Sequence, residues 1–151
     1  MKKVKSKTKN RRSIDTSNSV RCAIYARAAI GEQGKPPSPV ENQIRERKRH
    51  AAGKKWRVLP EFVVGEIGSG NLVNPGLGFL IAASRKRPRP FDCLLVSDLF
   101  RIARNFRVFV KVKETLDKAG VLLHSGDGQV FDESVKIEEL IDKDYPVRRT
   151  R

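Results

Sequence analysis

The sequence predicts an α/β domain in three layers: a mostly parallel sheet of four to five strands with helices on both faces. Three observations predict it. Short apolar runs recur along the chain, at Val20–Ala26, Phe91–Val96 and Val121–Ser125. They are near-continuously hydrophobic, as strands buried on both faces must be. Between them lie segments with clear helix starts and stops, and strands that alternate with helices build a parallel sheet covered on both sides.

The elements follow in order. Val20–Ala26 is the first strand. Residues 28–37 form a loop containing Gly31, Gly34, Pro36 and Pro37. Ser38, Pro39 and Glu41 then mark a helix start: a serine cap, a proline at the first helical position, and a glutamate that completes a capping box. The helix is predicted to run to Ala52, with Gly53 just past its end. Its charged residues Arg45, Glu46, Arg47, Lys48 and Arg49 read as a solvated face. Trp56–Val64 is the second strand, with Pro60 marking an edge or a bend. Residues 65–73 are rich in Gly, Ser and Asn and form a loop.

Asn74 and Pro75 open a second helix, with Asn74 as its cap, running to about Lys86. After the third strand, Ser97 or Asp98 caps a helix from Leu99 to Ala119, which Gly120 stops. Phe106, Phe109, Val110, Lys113 and Leu116 recur on it at helical spacing; the stripe packs on its own sheet or meets a partner. Val121–Ser125 is the fourth strand. Gly126–Gly128 turns the chain, and Gln129–Phe131 adds a short antiparallel edge. The organisation is a basic tail (1–19), a core domain (20–130) and a C-terminal extension (131–151) with a weakly amphipathic segment at Glu133–Lys143.

Charge narrows the partners. The 151 residues carry 32 Lys and Arg against 17 Asp and Glu, a formal net charge of +15. So large a charge opposes compaction unless an anion shares the surface, and nucleic acid is the default partner of such a chain. The tail concentrates it, with Lys2, Lys3, Lys5, Lys7, Lys9, Arg11 and Arg12 preceding the first acidic residue, Asp15. The tail is an arm that tracks phosphates or a solubilising segment; the density of cations favours the arm. No apolar run approaches the roughly 18 residues of a membrane-spanning helix, and no apolar segment near the N-terminus makes a secretory signal. A cytoplasmic location with no membrane partner is expected.

Cys22 and Cys93 lie inside apolar strands with no Cys-x-x-Cys spacing, which suits reduced buried thiols. His50 and His124 are far apart in sequence and show no ligand pattern. Neither a metal nor a cofactor is expected.

Ligands of sheets flanked by helices bind beyond the carboxyl ends of the strands. Arg27 closes the first strand, and Arg101 and Arg104 follow the third. Three guanidinium forks meeting there would suit phosphate oxygens. On one helix, Arg101 and Arg104 would share a face at its positive end. Asp98 is placed to hold one of them.

With this layout, the residues resemble the N-terminal catalytic domain of serine site-specific recombinases, the resolvase/invertase family. Tyr25–Arg27 followed by Gln33 is similar to the opening motif of that family, and Glu41–Arg45 to its first-helix segment. Phe62–Val63 through Asn74–Leu77 is similar to its loop and second helix, Phe91–Asn105 to its arginine-pair segment, and Gly120–Gln129 to the strand and turn that follow. The resemblance spans about Val20 to Gln129 in order.

It implies a resolvase-like fold and DNA strand exchange through attack of a serine hydroxyl on a phosphodiester, with arginines neutralising the phosphate. It makes Arg27, Arg101, Arg104 and Gln33 the retained site residues. It also places the nucleophile two residues after Arg27, where this chain has Ala29. A further arginine position is Asn74, and Phe100 and Ala103 flank the arginine pair where smaller polar residues are usual. A methyl group cannot attack phosphorus. Ser38, better explained as a helix cap, and Ser69 are the substitutes at hand.

The expectation is a DNA-binding recombinase domain with impaired catalysis, able to self-associate or to pair with an intact relative. The alternatives are a non-catalytic module that modulates such a relative, an active enzyme with another nucleophile, or a decayed gene product. The chain after Gln129 does not resemble the long helix that follows the sheet in the family.

Overall fold

The computed structural model describes residues 19–32, 36–126 and 130–131. The tail cations, Gln33 and the segment after Phe131 lie outside them. The sheet is built from β1 (Arg21–Ala28), β2 (Arg57–Ile67), β3 (Cys93–Leu95), β4 (Leu122–His124) and β5 (Val130–Phe131), in the order β2-β1-β3-β4-β5. The first four strands are parallel and β5 runs antiparallel beside β4. The helices are α1 (Pro39–Gly53), α2 (Pro75–Ser84) and α3 (Phe106–Ala119). The predicted fold class is therefore realised.

Period-two alternation in β1 sorts its side chains between two cores. Cys22 and Ile24 pack with Cys93 and Leu95 beneath Ala51, Ile44 and Trp56 on the α1 side. Ala23 and Tyr25 face the other way, into the larger core with Leu77 and Leu80 of α2 and Phe109, Val112 and Leu116 of α3. By the same parity Arg27 leaves the strand on the α2/α3 side. Of the apolar stripe of α3, Phe109 and Leu116 are buried in this core and Phe106 packs against it, while Val110 is only half-buried.

Asp92 pins the lower end of the sheet. Its carboxylate accepts from the Arg21 backbone N–H (2.9 Å) and guanidinium (3.0 and 3.2 Å), and from Arg89 (3.0 Å). Burial pushes this carboxyl up, but the bonds from Arg21 and Arg89 outweigh it and hold the group below its ordinary range. Pro60 sits in the expected irregularity of an edge strand: Cys22 opposes Val58, while Ile24 opposes Val63, so β2 bulges around the proline.

Four local expectations are corrected. The capping box of α1 forms as read, with Ser38 Oγ accepting from Glu41 N (3.1 Å) and Glu41 Oε1 accepting from Ser38 N (2.7 Å). Its other end lies further on than Gly53 suggested. Lys54 is the cap, and Lys55 takes the left-handed conformation (φ 63°). Trp56 N donates to Ala51 O (2.9 Å) and Lys55 N to Ala52 O (3.0 Å), a Schellman closure around a lysine instead of a glycine.

The second correction is the helix expected from Leu99. Leu99–Arg101 is only a 3-10 turn, and α3 begins at Phe106. The chain breaks because Gly70 O accepts from both Arg104 N (2.7 Å) and Asn105 N (3.1 Å). Asn105 then caps α3, accepting from Arg107 N (2.9 Å) and Val108 N (3.2 Å).

Third, Asn74 precedes α2 without capping it by its side chain. Fourth, Arg47 leaves the solvated face. It is buried, and its Nε and Nη1 have no hydrogen-bond partner among the described residues.

Trp56 and the two histidines, distant in sequence, meet on the α1 side. Ring centroids stand 5.0 Å apart for His50 and His124 and 5.2 Å for Trp56 and His124. Burial lowers both imidazoles below the ordinary range, as do Arg47 and Lys54 for His50, and chiefly His50 for His124. The folded state therefore favours neutral rings, and the unfolded chain binds protons first. Stability is full above about pH 6.5 and falls as pH drops below it. The melting temperature should fall between pH 7.5 and 5.5 in a thermal scan, and His124→Gln should flatten that fall.

Lys55→Gly should raise unfolding stability in urea by about 0.5–1 kcal/mol, because it relieves a left-handed lysine.

Candidate functional site

The site is assembled at the carboxyl ends of β1 and β3. Arg27 is 2% exposed. Its Nε donates to Arg101 O (3.1 Å), Nη1 to Gly68 O (3.0 Å) and Nη2 to Phe100 O (2.6 Å). One guanidinium thus ties the end of β1 to the loop after β2 and to the turn after β3. Its backbone is fixed from the α1 side. Arg27 N donates to Gln43 Oε1 (3.1 Å), and Gln43 Nε2 returns a bond to Arg27 O (3.0 Å).

Arg101 lies nearer the surface. Its Nη1 donates to Arg27 O (2.9 Å), and the guanidinium faces Glu32 (3.5 Å) and Asp98 (3.8 Å). Asp98 thus stands where it can steady Arg101, as the sequence suggested. Arg104 is exposed. Its guanidinium carbon lies 5.6 Å from the centroid of the Phe100 ring, and its stem crosses Gly70 so closely that a Cβ there would stand 2.7 Å from Cγ. The three arginines do converge, but through carbonyls and a turn. The two arginines do not share a helix face as expected: Arg101 ends the 3-10 turn and Arg104 lies just before Asn105, the cap of α3.

Two carboxylates occupy places an anion would take, and the sequence alone did not single out either. Glu32 Oε1 accepts from Ala29 N (2.5 Å) beside the Arg101 guanidinium. The Ala29 N–H, then Arg101 and Arg104, hold this exposed carboxyl below its ordinary range. Glu66 spans the start of α2, accepting from Gly76 N (2.8 Å) and Leu77 N (3.0 Å). It also accepts from Tyr25 Oη (2.6 Å), and burial together with Glu66 drives the Tyr25 hydroxyl well above its ordinary range.

Glu66 therefore does the capping expected of Asn74. The Asn74 amide is turned back to Ser69 O (2.8 Å) and lies against Gly68, where a Cβ would collide with Asn74 Oδ1. The small residues Gly68, Ser69 and Gly70 were the legible sign of this close approach. Gln43 carried no such sign beyond its place in the first turns of α1.

Ala29 follows β1 directly, and its side chain is a methyl group. Ser38 Oγ is the α1 cap, and Ser69 Oγ accepts from Asn71 N (3.0 Å). Among the described residues, no group of three His, Cys, Asp or Glu could hold a metal ion.

The fold and this cluster define a class: a parallel α/β domain with an arginine-centred site at the strand ends. The model of the resolvase N-terminal domain family matches residues 22–142. The chain belongs to that family. It is similar in structure to the N-terminal catalytic domain of TP901-1 integrase, with 22% identity and a TM-score of 0.62, covering 80% of this chain and 87% of that one. It is also similar to a resolvase-family site-specific recombinase from Streptococcus pneumoniae, with 19% identity and a TM-score of 0.59, covering 82% and 87%. No curated protein matches the sequence.

Glu66→Ala should destabilise the domain by about 1–2 kcal/mol in urea unfolding, since it strands two N–H groups at the start of α2 and the Tyr25 hydroxyl.

Proposed function

We propose that this chain is a DNA-binding domain of the serine recombinase type that holds a backbone phosphate without cleaving it. The observation that carries the reading is the pairing of a retained arginine centre with Ala29 at the position the family resemblance gives to the nucleophile. Arg101 and Arg104 present charge to the surface, and Arg27 supplies a fixed positive charge behind them. A covalent phosphoserine route needs an attacking oxygen here, and a methyl supplies none. Ser38 and Ser69 both accept backbone hydrogen bonds at positions explained by local structure.

The basic tail (1–19) adds sequence-independent phosphate contacts through Lys2, Lys3, Lys5, Lys7, Lys9, Arg11 and Arg12. The core (20–130) holds the phosphate site, and residues 131–151 are an extension. Gln33 belongs to the same site by resemblance. DNA is the partner, in a homo-oligomer or beside an intact recombinase, in the cytoplasm. No helix among the described residues is long and apolar enough to cross a membrane. The purely modulatory reading has less support, because the α3 stripe that motivated it packs into the core.

The test is duplex-DNA affinity over a salt series, together with a search for a covalent protein–DNA adduct. The full chain should bind with a steep salt dependence and form no adduct. Arg101→Ala/Arg104→Ala should flatten the log–log slope by about 0.9 for each phosphate that these arginines neutralise. Glu32→Gln, which removes the competing carboxylate, should tighten binding. Absence of duplex affinity at low salt would sink the reading, and an adduct from the unmodified chain would refute the loss of cleavage.

A further inference from the structure

A second basic feature lies at the other end of the sheet. A cleft of about 380 Å³ opens where α2 and α3 end, lined by Arg85, Arg87, Thr115, Lys118 and Ala119. None of these residues is acidic. The helices start at the Arg27 end, with Glu66 at the start of α2 and Gly70 beside the start of α3. A 14-residue helix such as α3 is about 21 Å long, so the cleft is roughly that far from the arginine centre.

Basic residues at helix C-termini are usually explained by the helix dipole and the open carbonyls there. In this cleft most of those carbonyls are already served. Ala82 O and Ala83 O accept from Arg85 N (3.2 Å) and Lys86 N (3.1 Å). Ile81 O accepts from Ser84 Oγ (2.6 Å), and Ser84 O from Arg87 (3.3 Å). On α3, Leu116 O and Asp117 O accept from Val121 N (2.9 Å) and Gly120 N (3.0 Å). Ala119 O accepts from both Arg87 (3.4 Å) and Arg89 (3.3 Å), and Gly120 O from Arg89 (2.7 Å).

Arg87 and Arg89 therefore complete the helix ends. The Arg85 guanidinium and the Lys118 ammonium have no hydrogen bond or ion pair among the described residues. Both are exposed, and both face a concave space already edged by Arg87.

We propose that this cleft is a second phosphate-binding site, in which Arg85 and Lys118 take the anion and Arg87 forms the back wall. The assignment does not depend on DNA being the partner. A forked guanidinium and an ammonium around one concavity match a phosphate group or a phosphate ester. The source is a nucleic-acid backbone or a small phosphorylated ligand. If it is a backbone, the domain carries phosphate contacts at both ends of its sheet and can hold two duplex segments at once.

Inorganic pyrophosphate is the probe, titrated into the full chain and followed by amide chemical shifts. Shifts should concentrate at Arg85–Arg87 and Thr115–Gly120. Arg85→Ala/Lys118→Ala should weaken the affinity at least tenfold, while the charge-matched Arg45→Ala/Lys48→Ala on α1 should not. Shifts centred elsewhere, or equal weakening in both variants, would overturn the assignment.

A duplex salt series identifies the source. A slope flattened by about 0.9 in Arg85→Ala/Lys118→Ala and unchanged in Arg45→Ala/Lys48→Ala, as for one phosphate left without its cations, assigns the phosphate to nucleic acid. An unchanged slope with the weakened pyrophosphate binding intact assigns it to a small phosphate ester. Loss of all duplex binding with pyrophosphate still held would reject the DNA reading and leave this site standing.

Discussion

Everything at the functional end of the domain depends on how the Arg27 guanidinium is satisfied. A charge this deeply buried is tolerable only with its donors occupied. Here each guanidinium nitrogen donates to one carbonyl, of Arg101, Gly68 and Phe100, which belong to two different connections. The requirement shapes both. The chain after β3 must turn its carbonyls inward, so Leu99–Arg101 stays a 3-10 turn. Gly70 must then receive Arg104 and Asn105, which sets the start of α3. Gly68 and Gly70 are small because Asn74 and Arg104 lie directly on them. One side chain thus fixes the register between two loops and a helix.

The same arrangement divides labour among the arginines. Arg27 is committed inward, Arg101 is shared between Arg27 O and the carboxylates of Glu32 and Asp98, and Arg104 lies over Phe100 at the surface. Glu32 and Glu66 sit on N–H groups and positive charge that an incoming phosphate would seek. A site built this way is neutralised from within and remains folded without a ligand. That suits the proposed reading, in which the domain holds a backbone phosphate without cleaving it.

Much of the fold was legible, because the signals were local. Apolar runs, the Ser38/Glu41 box and Gly120 each report on their own few residues, and each recurs in the structure. The misreadings came from contacts between distant parts of the chain. Asn74 has the sequence of a cap, but Glu66 reaches the α2 N–H groups first. Leu99–Ala119 has helical periodicity, but Gly70 interrupts it. Arg47 looked solvated on a charged helix, yet the turn near Gly126 covers it. Lys55 adopts a glycine conformation where Trp56 N and Lys55 N close back on Ala51 O and Ala52 O. Of the site, Arg27, Arg101 and Arg104 were readable from their places at strand ends. Glu32, Glu66 and Gln43 were not, since their roles exist only once the loops meet.

The most direct test of the account is the unfolding stability of Arg27→Met. If Arg27 is the tie that holds the strand end and both loops, its removal leaves three inward carbonyls without donors. The variant should then lose at least about 3 kcal/mol in urea unfolding. A site residue held only for phosphate would behave oppositely. Stability unchanged within about 0.5 kcal/mol, or increased as relief of a buried charge allows, would contradict the account.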